Sequence, residues 1–231
     1  MKERILVINP NRTKAITEQM SLALDGFRLT DGPEIVCATL DAGPPGIETQ
    51  AHVDAATGHL LAWFEAAPEH RRAAAVVIGC FSDPGLIALR QTLSIPIFGM
   101  GEASYLMAAG MGEQFGIVAA VTASIGRHQR ALRLLGLEGK LAGDIAVNIP
   151  VADLTNEELC WARLERVGRE LRDGCGARAI IMGCAGMARY RQRLEDTLSL
   201  PVIDPVQAAV GMALATVLAR RTAKTRERAA A

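Results

Sequence analysis

Several common signals are missing from this chain of 231 residues. Lys plus Arg equals Asp plus Glu at 25 each, and this balance gives no reason to expect nucleic acid or an anionic membrane as a partner. No apolar run reaches the ~18 residues that cross a bilayer. The apolar run behind the charged amino-terminal residues is too short for a signal peptide. The sequence therefore predicts a protein that does not enter a membrane.

The cysteines and the glycine-rich motifs give a second set of exclusions. The five cysteines are an odd number, with no CxxC pair and no Cys/His cluster. This pattern argues against a disulfide scaffold or a zinc site and favours the reducing cytoplasm. The chain also has neither a Walker loop nor a GxGxxG motif. We therefore expect a cytoplasmic protein without a metal site or a bound nucleotide.

Two similar stretches organise the rest of the sequence. One apolar run ends at Cys80 and a second ends at Cys184, each cysteine being preceded by glycine. A short apolar run bounded by turn residues is typical of a buried parallel strand. Each cysteine is thus predicted at the carboxyl end of a strand, where open α/β sheets bind ligands. The sequences that follow also match, and the two cysteines are 104 residues apart, close to half of the chain.

Strands alternate with helices along the whole chain, which predicts an α/β fold with parallel sheets. Four strand–helix units are followed by a second cycle that starts near Phe115. We therefore expect two similar lobes. A strand is predicted over residues 145–149, and a capping box over residues 155–158 opens the next helix. Asp83 is predicted to cap the helix after Cys80, with Pro84 as its first residue.

The cysteine pair is the candidate catalytic machinery. A single free cysteine is usually a small buried residue. Here both cysteines follow a strand, and pseudo-symmetry would place Cys80 and Cys184 on opposite sides of a cleft. A helix amino terminus lowers a thiol pKa, so we expect thiolate character. Two thiols on opposite sides of a carbon atom suit proton removal from one face and proton delivery to the other.

Polar groups near the same predicted edge could bind substrate oxygens. Four polar residues follow the first strand of each half, and helix capping is an ordinary alternative role for them: Asn11, Thr13, Thr122 and Ser124. Asn11 is the strongest candidate for a substrate contact. Backbone amides after each cysteine could stabilise negative charge on a carbonyl oxygen. Glu48 opens a helix, where a carboxylate is also common. The four histidines, His128 among them, have no ligand spacing and are predicted to lie on helix faces.

Six motifs together resemble a known family. They are NPN at 9–11, GP at 43–44 with IE at 47–48, C-x-x-DPG at 80–85, GEA at 101–103, GCAGM at 183–187 and PVID at 201–204. The chain resembles the aspartate/glutamate/hydantoin racemase superfamily over nearly its whole length, and within it the hydantoin and allantoin racemase branch.

The resemblance implies two pseudo-symmetric Rossmann-like lobes, each a parallel sheet flanked by helices, with the active site in the cleft between them. Lobe 1 would comprise residues 1–99 and 206–231, the last helix returning to it, and lobe 2 residues 100–205. A homo-oligomer without a cofactor is implied. The expected catalytic residues are Cys80 and Cys184. The expected substrate-binding residues are Asn11, Ile47, Glu48, Phe81, Ser82, Thr122, Ala185 and Gly186.

The expected reaction is inversion of the acidic carbon of a small-molecule substrate, a 5-substituted hydantoin or allantoin. One cysteine would act as thiolate base and the other as thiol acid. Two alternatives remain open. The first is a racemase for an amino acid such as aspartate or glutamate, or a related decarboxylase or isomerase on the same scaffold. The second is a two-lobed protein that binds a small ligand without chemistry.

Overall fold

The computed structural model describes residues 2–112 and 114–230, with side chains to residue 221. Each half of the chain forms one four-stranded parallel sheet. The strands of the first sheet are β1 (Arg4–Asn9), β2 (Glu34–Thr39), β3 (Ala75–Ile78) and β4 (Ile97–Gly99). Those of the second are β5 (Phe115–Ala119), β6 (Leu141–Ala146), β7 (Ala179–Met182) and β8 (Val202–Ile203). The predicted α/β fold with two similar parallel sheets is confirmed.

The two sheets have the same strand order, β2-β1-β3-β4 and β6-β5-β7-β8. The helices of the first half are α1 (Lys14–Ala23), α2 (Gln50–Ala66), α3 (Leu86–Thr92) and α4 (Met100–Gly110). Those of the second half are α5 (Thr122–Leu134), α6 (Glu157–Arg169), α7 (Arg191–Leu198) and α8 (Pro205–Ala230). A 3₁₀ helix, Ala185–Tyr190, lies between β7 and α7. The pseudo-symmetry is closest at β3 and β7, whose first and last residues are 104 positions apart.

The central strands are buried on both faces, which explains their continuous apolar sequences. In β1, Ile5 and Val7 belong to one apolar cluster, while Leu6 and Ile8 point to the other side of the sheet and belong to a second. The first cluster also contains Ile117 of the second sheet. One core therefore runs from one sheet to the other and fixes the two carboxyl edges relative to each other.

Helix α8 packs on β1, β3 and β4 and on helix α4. The side-chain amide of Gln207 in α8 donates to the carbonyl of Ala23 at the end of α1 (2.8 Å). These contacts agree with a last helix that returns to the first lobe, while the exact lobe boundaries stay a prediction. Among the residues the structure describes, no helix is both long and apolar enough to cross a membrane.

The predicted start of the helix after Cys80 is wrong. Helix α3 begins at Leu86 and its N-cap is Gly85, which is in the left-handed region (φ 72°). Asp83 does not cap α3, because its carboxylate accepts hydrogen bonds from the amides of Gly101 and Glu102 at the start of α4 (2.9 and 2.7 Å). A tertiary contact thus takes the carboxylate away from the local cap.

Two further local predictions are shifted. Strand β6 runs from Leu141 to Ala146, whereas residues 145–149 were expected. The amides of Val147 and Ile149 still donate to Ala119 and Ala120, but Asn148 between them is in the left-handed region (φ 53°), which ends the regular strand. Helix α6 is capped by Asn156, whose side chain accepts from the amides of Glu158 and Leu159, and not by the predicted box.

Candidate active site

Glycine precedes both cysteines because the chain passes very close to the neighbouring strand. The amide of Gly79 donates to the carbonyl of Ile8, and that of Gly183 donates to the carbonyl of Val118 (2.7 and 2.9 Å). A Cβ atom on either glycine would come within 2.9 or 2.8 Å of the same carbonyl oxygen. The residue after each glycine, a cysteine in both cases, therefore emerges at the carboxyl edge of its sheet.

Both cysteines line one cavity between the two sheets. The free volume inside it is about 30 Å³, and its mouth is open to solvent. The lining residues are Asn11, Ile16, Ile47, Gly79, Cys80, Phe81, Ser82, Met100, Ala120, Val121, Ser124, His128, Val151, Gly183, Cys184 and Ala185. Seven of the residues expected at the site are therefore brought together here.

The two sulfur atoms have matching environments. The backbone N–H of Ser82 bonds the sulfur of Cys80, and the backbone N–H of Gly186 bonds that of Cys184. Burial nevertheless raises the pKa of Cys80 to about 12 and that of Cys184 to about 11. The expectation that a helix amino terminus would make them thiolates is wrong, because desolvation outweighs the single amide dipole.

Asn11 presents a hydrogen-bond donor to the cavity. Its Oδ1 accepts from Asn9 Nδ2 and from the Thr13 amide (3.1 and 2.9 Å). These two donors fix the side-chain orientation, so the Nδ2 group is the end that remains for a ligand. The side chain is only 5% exposed, and a substrate oxygen that met this group would be shielded from water.

Apolar residues shape the wall beside Cys80. Ile47 is buried in a small cluster against which Cys80 packs. Phe81 is also buried and meets the rings of Tyr105 and His128 edge to face, with centroids 5.2 and 5.0 Å apart. Ala185 lines the cavity beside the other cysteine. These contacts give the cavity a mostly apolar wall with few polar groups.

Glu48 and Ser82 connect the two lobes. Glu48 Oε1 accepts from the amide of Val151 (2.8 Å), and its carbonyl accepts from Arg127 (2.8 Å). The same guanidinium donates to Ser82 Oγ (3.2 Å). Glu48 is not among the cavity-lining residues, so the structure gives it a bridging position at the edge of the site.

Two other expected residues do not line the cavity. Thr122 is exposed, and both its amide and its hydroxyl donate to Asn148 Oδ1 (3.0 and 2.9 Å). Gly186 packs its backbone against Leu154, and its amide is directed at the sulfur of Cys184. Neither residue lines the cavity, and their expected contact with substrate stays a prediction.

The cavity also holds two polar residues outside the expected binding set. Ser124 and His128 lie one turn apart on α5, and both line the cavity. Ser124 was weighed as a helix cap or a substrate contact, whereas no substrate contact was predicted for His128. His128 Nδ1 bonds Asp144 Oδ2 (2.8 Å), and these two side chains are 1% and 3% exposed. The sequence did carry one signal for Ser124 and His128. Residues four apart on a helix lie on the same face, and this helix starts at the sheet edge.

The arrangement can carry out proton transfer at a carbon atom. It offers two thiols on one cavity, an amide donor and a mostly apolar wall. Within the described part of the chain, no group of three or more His, Cys, Asp or Glu side chains has the geometry of a metal site.

Comparisons with known proteins agree with this arrangement. A family model described as Asp/Glu/Hydantoin racemase matches residues 5–213. A hydantoin racemase from Paenarthrobacter aurescens is 35% identical over 91% of this chain and 89% of its own length. An allantoin racemase from Klebsiella pneumoniae superposes with a TM-score of 0.85 at 33% identity, over 94% of this chain and 88% of that one. An allantoin racemase from Pseudomonas fluorescens superposes with a TM-score of 0.84 at 25% identity, over 93% and 90%.

Proposed function

Since the chain belongs to the Asp/Glu/hydantoin racemase family and is a racemase, we propose that it inverts the acidic carbon of a 5-substituted hydantoin or of allantoin. The observation that carries this proposal is the presence of Cys80 and Cys184 on one cavity, at equivalent positions of two similar sheets. Relatives that are named hydantoin racemase and allantoin racemase support the ring as substrate class.

The reaction begins with one thiolate and one thiol. The thiolate takes the proton from the substrate carbon, forming an S–H bond, and the C–H electron pair moves into the ring as an enolate. The thiol on the other side then gives its proton to the opposite face of the carbon and becomes a thiolate. The carbon is inverted, no net proton is consumed, and the two cysteines have exchanged roles.

The raised thiol pKa values suit this chemistry. With pKa values of about 12 and 11, a thiolate in the cavity is a stronger base than one in water. A carbon acid is weak, and proton transfer becomes easier as the pKa values of donor and acceptor approach each other. The desolvation that makes thiolates rare in the free enzyme therefore makes each one more reactive toward the carbon.

The cavity chemistry favours a neutral ring over a free amino acid. An amino-acid substrate brings an ammonium and a carboxylate, which need partners when they are buried. Among the described residues that line the cavity there is no Lys, Arg, Asp or Glu side chain. Asn11 instead offers an amide donor, which suits a ring carbonyl. An amino-acid racemase, or a decarboxylase or isomerase on this scaffold, is therefore the weaker candidate.

We also propose a cytoplasmic homo-oligomer. All five cysteines are free in the structure, and a reducing compartment would keep the two in the cavity reactive. Ile87 and Leu134, which are 67% and 83% exposed beside a groove between α3 and α5, support contact with a second copy. Light scattering after size exclusion measures the subunit count, and a monomer at all concentrations would contradict it.

The function is tested by following pure enantiomers in heavy water. L- and D-5-benzylhydantoin, L- and D-5-isopropylhydantoin, allantoin, aspartate and glutamate are each incubated with the protein. Polarimetry reports racemisation, and proton NMR reports loss of the C–H signal. We expect both with the ring compounds, beyond the spontaneous rate, and neither with the Cys80→Ser/Cys184→Ser double variant. Turnover of the amino acids alone would favour the first alternative, and binding without exchange would favour a non-catalytic protein.

A further inference from the structure

The pair His128 and Asp144 is a second polar feature of the cavity that the two-cysteine reaction does not use. Asp144 lies in β6 and His128 in α5, and they join through Nδ1 and Oδ2 at 2.8 Å. Both side chains are almost completely buried. The imidazole lines the same cavity as the two cysteines.

The ring of His128 is held in a fixed orientation. Asp144 binds it at Nδ1, and Phe81 packs against it nearly perpendicularly, with ring planes at 87°. The Nε2 atom on the other side of the ring has no hydrogen-bond partner among the described residues. A buried imidazole with one nitrogen engaged and the other unpaired at a cavity wall is a group prepared for a ligand.

Asp144 has no other partner in the part of the chain that the structure describes. Its Oδ1 is buried without a hydrogen bond, and His128 Nδ1 is the one side-chain group that the described residues provide for Oδ2. The role of Nε2 depends on the hydrogens of this pair. A donor at Nε2 requires one hydrogen on that atom and a second one between Nδ1 and Oδ2.

From this geometry we infer that His128 is a catalytic residue that donates from Nε2–H to the ring carbonyl oxygen next to the acidic carbon and stabilises the enolate. Asp144 is the positioning residue behind it. The inference rests on the proposed function, since it assumes a hydantoin ring between the two cysteines. A carbonyl oxygen has two lone pairs, so it can accept from His128 in one lobe and from Asn11 in the other.

The pair gives up no proton in this role, and the substrate proton still travels from carbon to sulfur. A donor that is arranged before the reaction in a buried site is the kind that lowers an activation barrier most.

The test compares three variants on 5-benzylhydantoin and on its 4-thioxo and 2-thioxo analogues. His128→Leu is combined with Asp144→Asn, so that no unpaired carboxylate remains buried, and this is the double variant. His128→Gln, made in the same Asp144→Asn background, keeps an N–H donor at about the position of Nε2. His59→Gln on α2, whose side chain does not line the cavity, is the matched control. Urea unfolding confirms that each variant is folded.

With 5-benzylhydantoin we expect kcat of the double variant to fall about 10²-fold with KM changed less than about threefold, as for loss of one oxyanion donor. His128→Gln should recover most of the activity, and His59→Gln should match the parent. Sulfur accepts hydrogen bonds weakly, so the difference between parent and double variant should shrink below about tenfold with the 4-thioxo compound and persist with the 2-thioxo compound.

Three results would overturn the inference while leaving the proposed function standing. These are a parent-like kcat in the double variant, an effect confined to KM, and equal losses with both thioxo analogues. If the parent protein fails to racemise any hydantoin, the proposed function fails, and this inference fails with it.

Discussion

The loops that follow Cys80 and Cys184 begin alike and then diverge. In both, a glycine packs on the carbonyl of the neighbouring strand and an amide two residues after the cysteine bonds its sulfur. After Cys80 the chain makes an irregular turn in which Asp83 adopts a left-handed conformation (φ 46°). After Cys184 it enters a 3₁₀ helix directly. The common part positions a thiol, and the divergent part only connects it to its lobe.

The two halves also differ in how they cap the helix after the fourth strand. In the first half, Asp83 of the cysteine loop accepts from the first amides of α4, so the cap and the Cys80 loop form one unit. In the second half, Asp204 caps α8 from the preceding residue by accepting from the amide of Gln207 (2.8 Å). The Cys184 loop is thus independent of that helix. Substitutions should therefore affect the two loops unequally, except at the cysteines themselves.

Replacing either cysteine should have the largest effect, and here the two loops should behave alike. In the proposed reaction each thiolate reaches only one face of the substrate carbon. Cys80→Ser and Cys184→Ser should therefore each lose racemisation by more than about 10³-fold, because a serine hydroxyl supplies almost no alkoxide near neutrality. The remaining thiolate can still exchange the proton of one enantiomer with retention. Proton NMR in heavy water with each pure enantiomer measures this.

The two single variants serve as controls for each other. They should exchange deuterium into opposite enantiomers, because the proposed reaction puts their remaining cysteines on opposite sides of the carbon. Exchange of the same enantiomer by both variants, or racemisation near the parent rate by either, would show that the two loops do not have equivalent roles.

Adding a methyl group next to each cysteine loop should affect the stability and activity of the protein to different degrees. A Cβ on Gly101 would collide with the backbone carbonyl of Phe81, so Gly101→Ala should lose about 1–3 kcal/mol of unfolding free energy and most of its activity. On Gly186 it would come 3.0 Å from the Leu154 side chain, which can adjust. Gly186→Ala should therefore change stability by less than about 1 kcal/mol. Urea unfolding and racemisation rates measure both.

The matched control for these changes is Gly126→Ala. Gly126 is exposed in the middle of α5, where a Cβ would make only an ordinary contact with the Arg130 side chain (3.7 Å). Alanine should therefore add about 0.5–1 kcal/mol through helix propensity. Equal destabilisation by the substitutions at Gly101 and Gly186 would mean that both loops are held with the same rigidity.

The capping carboxylates should respond differently to removal of their charge. Both oxygens of Asp83 accept an amide, so in Asp83→Asn the new NH₂ group faces an N–H donor, and about 1–3 kcal/mol of stability should be lost at pH 8. Asp204 Oδ2 has no partner among the described residues, so Asp204→Asn should be tolerated. Urea unfolding at pH 8 measures the two variants side by side.

The pH dependence of stability provides the control for that comparison. Burial raises the pKa of Asp204 from 3.8 to about 6, so the protonated form is favoured in the folded state. The contribution of Asp204 to the free energy of unfolding is therefore fully present below its unfolded-state pKa of 3.8. It is lost as the pH rises through the folded-state pKa of about 6. Asp204→Asn should remove this part of the slope between pH 4 and 6. A slope that is unchanged in the variant would contradict the assignment.

The regular features of the fold could be predicted because they depend on local pattern. The apolar runs at β1, β3 and β7 indicate strands buried on both faces, and their spacing indicates two similar halves. The role of Asp83 could not be predicted, because its partners are 18 and 19 residues away and a local cap was also plausible. The raised thiol pKa values depend on burial, which follows from the assembled core.

The candidate site was predictable to a similar degree. Cysteines at strand ends and Asn11 near the first strand are visible as positions along the sequence. The role proposed for His128 is not visible in this way, because it depends on Asp144 in the next strand and on the Phe81 ring from the other lobe. Thr122 was expected at the site from its position after β5, but it turns outward to Asn148.

The smallest effect is therefore expected at Thr122, where the second half lacks a counterpart of Asn11. Its hydroxyl makes one exposed hydrogen bond, so Thr122→Ala should lose about 0.5–1 kcal/mol of stability and change kcat less than twofold. Asn11→Asp, which keeps Oδ1 for its two donors but replaces the Nδ2 donor by an acceptor, is the active-site control and should lower kcat strongly. Racemisation kinetics on 5-benzylhydantoin measures both. A loss above about tenfold in Thr122→Ala, with stability retained, would mean that the cavity closes further around its ligand and that the two halves are more alike during catalysis than at rest.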